Sequence, residues 1–158
     1  MESDLYYFFW KHRLSQWHMV DFVVEGTTYN CCEQYMMASK AILFGDTTSF
    51  FNIMDTKNPH EHQKLGRVVA HYNQEVWDAN KYDIVLKGNR ARFDQSKECQ
   101  ELLLSTAPKI LVESSPYDKI WGIGLSQDDP RILDSTQWLG QNLLGKILTQ
   151  VRDELLQK

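Results

Sequence analysis

The chain has 158 residues, 42% of them hydrophobic and 24% charged, with a formal net charge of −4. That size and balance suit one compact domain spanning residues 1–158 with a substantial core, and argue against a second domain. The acidic balance excludes a protein that grips nucleic acid along a broad basic face, because such binding runs on phosphate neutralisation, so no stable nucleic-acid footprint is expected. Three cysteines, Cys31, Cys32 and Cys99, form neither a disulfide framework nor the paired spacing of a zinc site. No apolar stretch approaches the roughly 20 residues needed to cross a bilayer, and no stretch has the character of a secretory leader. The expectation is a soluble protein without a membrane partner, cytoplasmic, or nuclear if the source is eukaryotic.

Along the chain, Leu5 to Phe9 is aromatic-rich and extended, and Asp21 to Tyr29 holds two strand-like runs around Glu25-Gly26. These predict a small sheet within the first thirty residues. Asn30 is placed to cap a helix through about Phe44, with Glu33 three positions on in the pattern of a capping box and Gly45 ending it. Thr47 or Thr48 starts a short helix to Met54, and Asn58-Pro59 supplies cap and first residue of the next, to about His71. From Gln74 to Phe93, Val76, Trp77, Ile84, Val85 and Leu86 recur at helical spacing, with Gly88 as a point of weakness. Leu102 to Leu104 close a further helix before Pro108. Lys109 to Glu113 and Lys119 to Ile123, separated by Ser114-Ser115-Pro116, predict strand, turn, strand, and Gln141 to Leu156 predicts a last helix. The fold class is therefore α+β, predominantly α-helical, with little sheet.

Two constellations bear chemistry. Glu33, Met36 or Met37, and Lys40 share one helical stripe, which would turn an acid and an amine toward one place. Against this, Glu33 has a plain use as a helix cap and Lys40 as a solvated lysine. The second runs from Leu111 to Gly124, where Glu113, Asp118, Trp121, Gly122 and Gly124 gather around one turn. Glycine lets backbone approach a ligand and tryptophan offers a face for stacking a base. The plain alternative is a hairpin in which Asp118 bonds its own turn and Trp121 fills the core. His60-Glu61-His62 lacks the four-residue spacing of helical metal-binding histidines and reads as a solvated helix start. Lys87, Arg90, Arg92 and Lys97 form either a phosphate patch or a solvated face. Trp138 to Gly145 is unusual at a helix start, but it lacks the lysine of a phosphate loop.

Taken together, Ser15-Gln16-Trp17, Glu33-Gln34-Tyr35-Met36-Met37, Lys40-Ala41, Gly66-Arg67, Trp77, Arg92-Phe93, Leu111-Val112-Glu113, Pro116, Asp118, Trp121-Gly122-Ile123-Gly124, Gly140, Asn142-Leu143-Leu144-Gly145 and Arg152 resemble the YbiA-like family of N-glycosidases, also called NADAR. The likeness covers nearly the whole chain. It implies a mainly helical fold, a site for phosphorylated ribosyl compounds, and no metal or other cofactor. It further implies that Glu33, Lys40 and Asp118 carry the catalysis and that Ser15, Trp17, Arg67, Trp77, Arg92, Glu113, Trp121, Gly122 and Asn142 line the substrate site. In one scheme Lys40 attacks the anomeric carbon, Glu33 is general acid and base, and Asp118 orients Lys40 or a water; in the plain alternative water attacks directly, with Glu33 or Asp118 as base and Lys40 only an electrostatic partner. Trp121 stacks the base or packs the sugar, and Arg67, Arg92 and the Asn142 region meet phosphate.

The expected substrate is an ADP-ribosylated guanine nucleotide or DNA, because Met36-Met37 and Ser15-Gln16-Trp17 look closer to that branch of the family. Some members have Ser-Asn-Phe at the latter position. A ribosylaminopyrimidine phosphate of riboflavin synthesis is the alternative substrate, and a non-catalytic reader of ADP-ribose the alternative from another class.

Overall fold

The computed structural model describes residues 2–158. In chain order it contains β1 (Tyr6–Phe9), β2 (Phe22–Val24), β3 (Thr27–Tyr29), α1 (Cys32–Leu43), α2 (Thr47–Asp55), α3 (Pro59–Arg67), α4 (Gln74–Gln95), α5 (Lys97–Ser105), β4 (Ile110–Glu113) and α6 (Leu143–Leu156). Two short 3₁₀ turns, Pro130–Leu133 and Ser135–Gln137, precede α6. The class is the expected mainly helical α+β. The chain gathers into two compact units, Gln16–Ser96 and the pair of segments Met1–Ser15 with Lys97–Lys158.

In the unit Gln16–Ser96, α1 packs against α2, α3 and α4, and α4 also packs on β2. Seven consecutive residues of α1, Cys32 to Ala38, are buried, together with Ala41. A helix covered on every side shows no amphipathic stripe, so its pattern differs from that of a surface helix. Two glycines permit this coverage. A Cβ at Gly66 of α3 would lie 1.8 Å from Met37 Sδ, and one at Gly88 of α4 would lie 2.7 Å from Tyr35 Cδ2. Gly88 therefore does not interrupt α4. It is the point at which Tyr35 of α1 sits against that helix.

The start of α1 corrects the expected cap. Cys31, not Asn30, is the cap residue, and its Sγ accepts the Gln34 N–H at 3.4 Å. Gln34 Oε1 accepts the Asn30 N–H at 2.8 Å, so the back-bond keeps the expected donor and takes Gln34 rather than Glu33 as its acceptor. His62 is buried rather than solvated. Its Nε2–H donates to Thr56 O at 2.7 Å, which leaves Nδ1 to accept from the Cys31 thiol at 3.7 Å. Burial pushes the Cys31 thiol up to about 12 and holds His62 below the usual histidine value, so both stay neutral. The α2 cap is likewise Asp46 rather than a threonine, while Asn58 caps α3 as expected. That helix stops at Arg67, short of His71.

β2 and β3 form the expected hairpin, Phe22 opposite Tyr29 and Val24 opposite Thr27. Glu25 and Gly26 make the turn with φ of 51° and 83°, the left-handed pair that matches strand twist. β1 does not join them. It pairs in parallel with β4, Tyr6 opposite Ile110 and Phe9 opposite Glu113, because the chain returns to it only after α5.

In the other unit α6 packs on β4 and α5 on α6. Val112, Ile123, Leu125 and Ile132 form a core flanked by Tyr6, Phe8 and Trp138. Residues 119–123 are not the second strand of a hairpin: only the Ile123 N–H reaches Glu113 O, at 3.0 Å, and the segment otherwise bends toward α6. Gly145 in the first turn of α6 lies against β4, where a Cβ would meet Leu111 O at 2.2 Å and the Asn142 amide at 2.3 Å. Helix propensity alone would make Gly145→Ala stabilising by about 1 kcal/mol. The clash with backbone reverses the sign, and we expect a net loss of about 2–4 kcal/mol, read as a lower urea midpoint at unchanged slope. A raised midpoint would refute this packing account.

Candidate active site

The site in the unit Gln16–Ser96 is assembled on α1. Glu33, in its first turn, is 4% exposed, and its backbone N–H donates to Gln16 O at 3.0 Å. Lys40 follows two turns later, about 10 Å further along the axis. Long helical side chains lean toward the N-terminus, so the lysine reaches back toward the glutamate. The helix is buried through Ala38 and begins to emerge at Ser39, which leaves Lys40 half-buried.

Aromatic faces flank the Lys40 ammonium. Nζ lies 4.6 Å from the centre of the Tyr72 ring and 5.5 Å from that of Trp77. Burial holds the amine below the usual lysine value; the Glu33 charge opposes that shift and the Arg67 charge adds to it. Arg67, exposed at the end of α3, thus acts on the amine electrostatically. A lysine so placed is easier to deprotonate, which is what a nucleophilic amine requires.

Tyr72 is a member that sequence reasoning missed. It lies in the short connection between α3 and α4, where no periodicity marks it, and follows His71 at φ 62°. Several contacts hold it. Its hydroxyl donates to Gln74 Oε1 at 2.8 Å, Gln74 Nε2 donates to Asp78 Oδ1 at 2.9 Å, and Asp78 pairs with Lys81 at 2.8 Å. Its ring meets Phe44 edge-on at 5.4 Å. The same segment is fastened by Ala70 N–H donating to Asp46 Oδ2 at 2.8 Å. That bond, with the Ser49 hydroxyl and N–H, lowers Asp46 to about 2.

Arg92 is 0% exposed, donates to Asn89 Oδ1 at 2.7 Å and rests on the Phe93 ring at 4.3 Å. The charge run containing it is thereby divided: Lys87 pairs with Glu25 at 2.5 Å on the surface, whereas Arg92 orders a buried amide. Trp17 is 40% exposed and meets His60 edge-on at 6.1 Å.

The other unit holds Ser15, Glu113, Asp118, Trp121, Gly122 and Asn142. Asp118 Oδ1 accepts from the N–H groups of Ile120 and Trp121 at 2.9 and 2.8 Å, so this carboxylate organises its own turn and offers only its second oxygen elsewhere. Gly122 is packed closely inside this unit, where a Cβ would meet Glu113 O at 2.9 Å and Asp118 O at 3.1 Å. Asn142, at φ 54°, spends its amide on β4: Oδ1 accepts from Glu113 N–H at 2.9 Å and Nδ2 donates to Leu111 O at 3.1 Å. It braces the end of the strand. Trp121 is half-buried, its carbonyl accepting from Leu144 N–H at 3.0 Å. Among the described residues no group of three or more His, Cys, Asp or Glu could hold a metal ion.

The NADAR domain model matches residues 8–156, a span that takes in both units. An N-glycosidase of Acanthamoeba polyphaga mimivirus is 42% identical over 98% of this chain and 98% of its own length. The N-glycosidase YbiA of Escherichia coli (strain K12) is 31% identical over 84% of this chain and 74% of its own. The NMR structure of the E. coli protein YbiA superposes with a TM-score of 0.80 at 27% identity, covering 99% of this chain and 88% of that one. Protein irg-1 of Caenorhabditis elegans is 39% identical over 80% of this chain, which spans 61% of that protein. The chain belongs to the NADAR family and is an enzyme, an N-glycosidase; the alternative of a non-catalytic reader gives way to that finding.

The electrostatics around Lys40 carry a signed expectation. In a ¹³Cε NMR titration Lys40 should lose its proton at lower pH than the surface lysines. Arg67→Gln should move its midpoint up, by removing a repelling charge, and Glu33→Gln should move it down, by removing an attracting one. A Lys40 that titrates with the surface lysines in all three proteins would contradict the site as drawn.

Proposed function

We propose that this NADAR N-glycosidase removes ADP-ribose from ADP-ribosylated guanine, in a nucleotide or in DNA, through a covalent imine on Lys40. The observation that carries the mechanism is the half-buried Lys40 amine, its proton affinity lowered, two turns along one helix from the buried carboxylate of Glu33. The choice of substrate rests on the Ser15-Gln16-Trp17 and Met36-Met37 variants of the family pattern.

Each step uses a group already described. Ribose joined to an exocyclic amine opens to an imine when the ring oxygen takes a proton, and Glu33 is the acid. The neutral Lys40 amine adds to C1, and the guanine amine leaves with a proton, which yields a lysine imine and free base. Water adds to C1 with Glu33 as base, the C1–Nζ bond breaks, and ADP-ribose departs as the aldehyde that recloses. The net change is one water consumed and one C–N bond hydrolysed. Tyr72 and Trp77 favour the protonated amine between turnovers, since ring faces attract cations, while burial favours the neutral form. The balance sets the pH at which the nucleophile becomes available. A ribosylaminopyrimidine phosphate presents the same ribosyl–amine bond to the same two groups and is the second reading.

Incubating the protein in parallel with guanine-ADP-ribosylated DNA and with a ribosylaminopyrimidine phosphate separates the two by product. We expect release of ADP-ribose alone, reduced on the order of 100-fold or more in Lys40→Ala and in Glu33→Gln. Borohydride added during turnover should fix substrate-derived mass on Lys40. Turnover without such an adduct would mean direct attack by water, and release of ribose phosphate alone would transfer the enzyme to riboflavin chemistry.

A further inference from the structure

The polar network behind Glu33 contains a donor with nothing to bond. Gln16 is 6% exposed, and its Nε2 has no hydrogen-bond partner. Burying an amide NH₂ without a partner is unfavourable, so native proteins rarely leave one without a use.

The orientation of this amide follows from its neighbours. Arg92 can only donate, and its Nη2 faces Asn89 at 2.7 Å, so the Asn89 atom there is the oxygen. The Cys32 thiol donates to the same oxygen at 3.6 Å. Asn89 Nδ2 consequently points the other way, donating to Val85 O at 2.9 Å and to Gln16 Oε1 at 2.9 Å. Gln16 must present its oxygen to Asn89 and turn its NH₂ away from it. A flipped Gln16 would set two NH₂ groups against each other. Its backbone is fixed as well, because Gln16 O accepts the Glu33 N–H at 3.0 Å. The unused donor and the candidate catalytic acid therefore belong to adjoining residues of one network.

We propose that Gln16 Nε2 donates to the 2-hydroxyl oxygen of the substrate ribose, and so acts as a specificity-determining residue for ribosyl over deoxyribosyl compounds. The inference rests on Glu33 serving the anomeric carbon, as proposed above; the 2-hydroxyl is the hydroxyl adjacent to that carbon, and a neutral donor suits a neutral oxygen. Both candidate substrates carry the group, so Gln16 reads the sugar rather than the base.

The test uses ribose 5-phosphate and 2-deoxyribose 5-phosphate as probes, with Gln16→Met as an uncharged replacement of similar length. In ¹H–¹⁵N spectra of the wild-type protein, the Gln16 side-chain pair, identified by its loss in the variant, should shift on saturation with ribose 5-phosphate. By calorimetry the variant should bind ribose 5-phosphate about tenfold more weakly, and 2-deoxyribose 5-phosphate as the wild type does. Equal weakening for both sugars, or an amide pair unmoved by saturating ribose 5-phosphate, would overturn the proposal, the second outcome pointing to an ordered water as its partner. Triple-resonance correlation of the side-chain pair to the Gln16 backbone gives the same assignment in the wild-type protein, so a poorly folding variant does not remove the test. Absence of binding by the wild type to either sugar, with product release intact, also overturns this proposal while leaving the N-glycosidase reading standing.

Discussion

The complete burial of the first two turns of α1 is the constraint on which the candidate active site depends. A helix covered by α2, α3 and α4 has no face on which to discard a charge, so Glu33 is held in low-dielectric surroundings. Such a charge is costly, and a fold keeps one only where polar partners or a function offset the cost. The coverage in turn rests on two absent side chains, since any Cβ at Gly66 or Gly88 would occupy space taken by Met37 or Tyr35. The position of the acid is thus set by backbone packing rather than by a flexible loop, and precise placement on rigid elements is what acid–base chemistry requires.

From that constraint the rest of the arrangement follows in sequence. The helix must leave its cover somewhere, and it does so between Ala38 and Lys40, which makes the lysine half-buried. Half-burial lowers its proton affinity, the Glu33 charge limits the fall, and Arg67 extends it. The aromatic rings of Tyr72 and Trp77 restrict where the amine can go without supplying a competing acceptor. The segment bearing Tyr72 is fixed through Ala70 to the cap of α2. One carboxylate, Asp46, therefore both starts a helix and positions a wall of the site.

Much of this was legible in the residues, and the failures have physical causes. Helices were readable wherever a cap or a proline marked the start, as at Asn58-Pro59, and the hairpin was readable from Glu25-Gly26. The cap of α1 was misassigned because a thiol is a poor advertisement for a capping acceptor, and because Gln34 rather than Glu33 closes the reciprocal bond. Residues 119–123 looked like a strand because Ile120, Trp121 and Ile123 are branched or aromatic; their carbonyls instead accept from the N–H groups of Leu139 and of Gln141 to Leu144. The stripe of Glu33 and Lys40 was visible from spacing alone. Asn142 was visible too, though its bracing of β4 was not. Tyr72 was invisible, since a tyrosine in a short connection has no period to betray it. Gln16 stands in the Ser15-Gln16-Trp17 pattern with no sign of a role of its own, because an unpaired buried donor exists only in three dimensions.

The parallel pairing of β1 with β4 also orders events in time. Tyr6 is made before any of the unit Gln16–Ser96 and Ile110 after all of it. On the ribosome that unit, rich in near-neighbour helix contacts, can therefore reach its native packing while β1 has no strand to bond. Throughout that interval Tyr6, Tyr7, Phe8 and Phe9 form an open, aromatic sheet edge, the kind of segment that seeks strands on other chains. The assembly of α1 and its acid thus comes early in the life of the polypeptide, and vulnerability to aggregation is concentrated in its first ten residues, which wait longest for their partner.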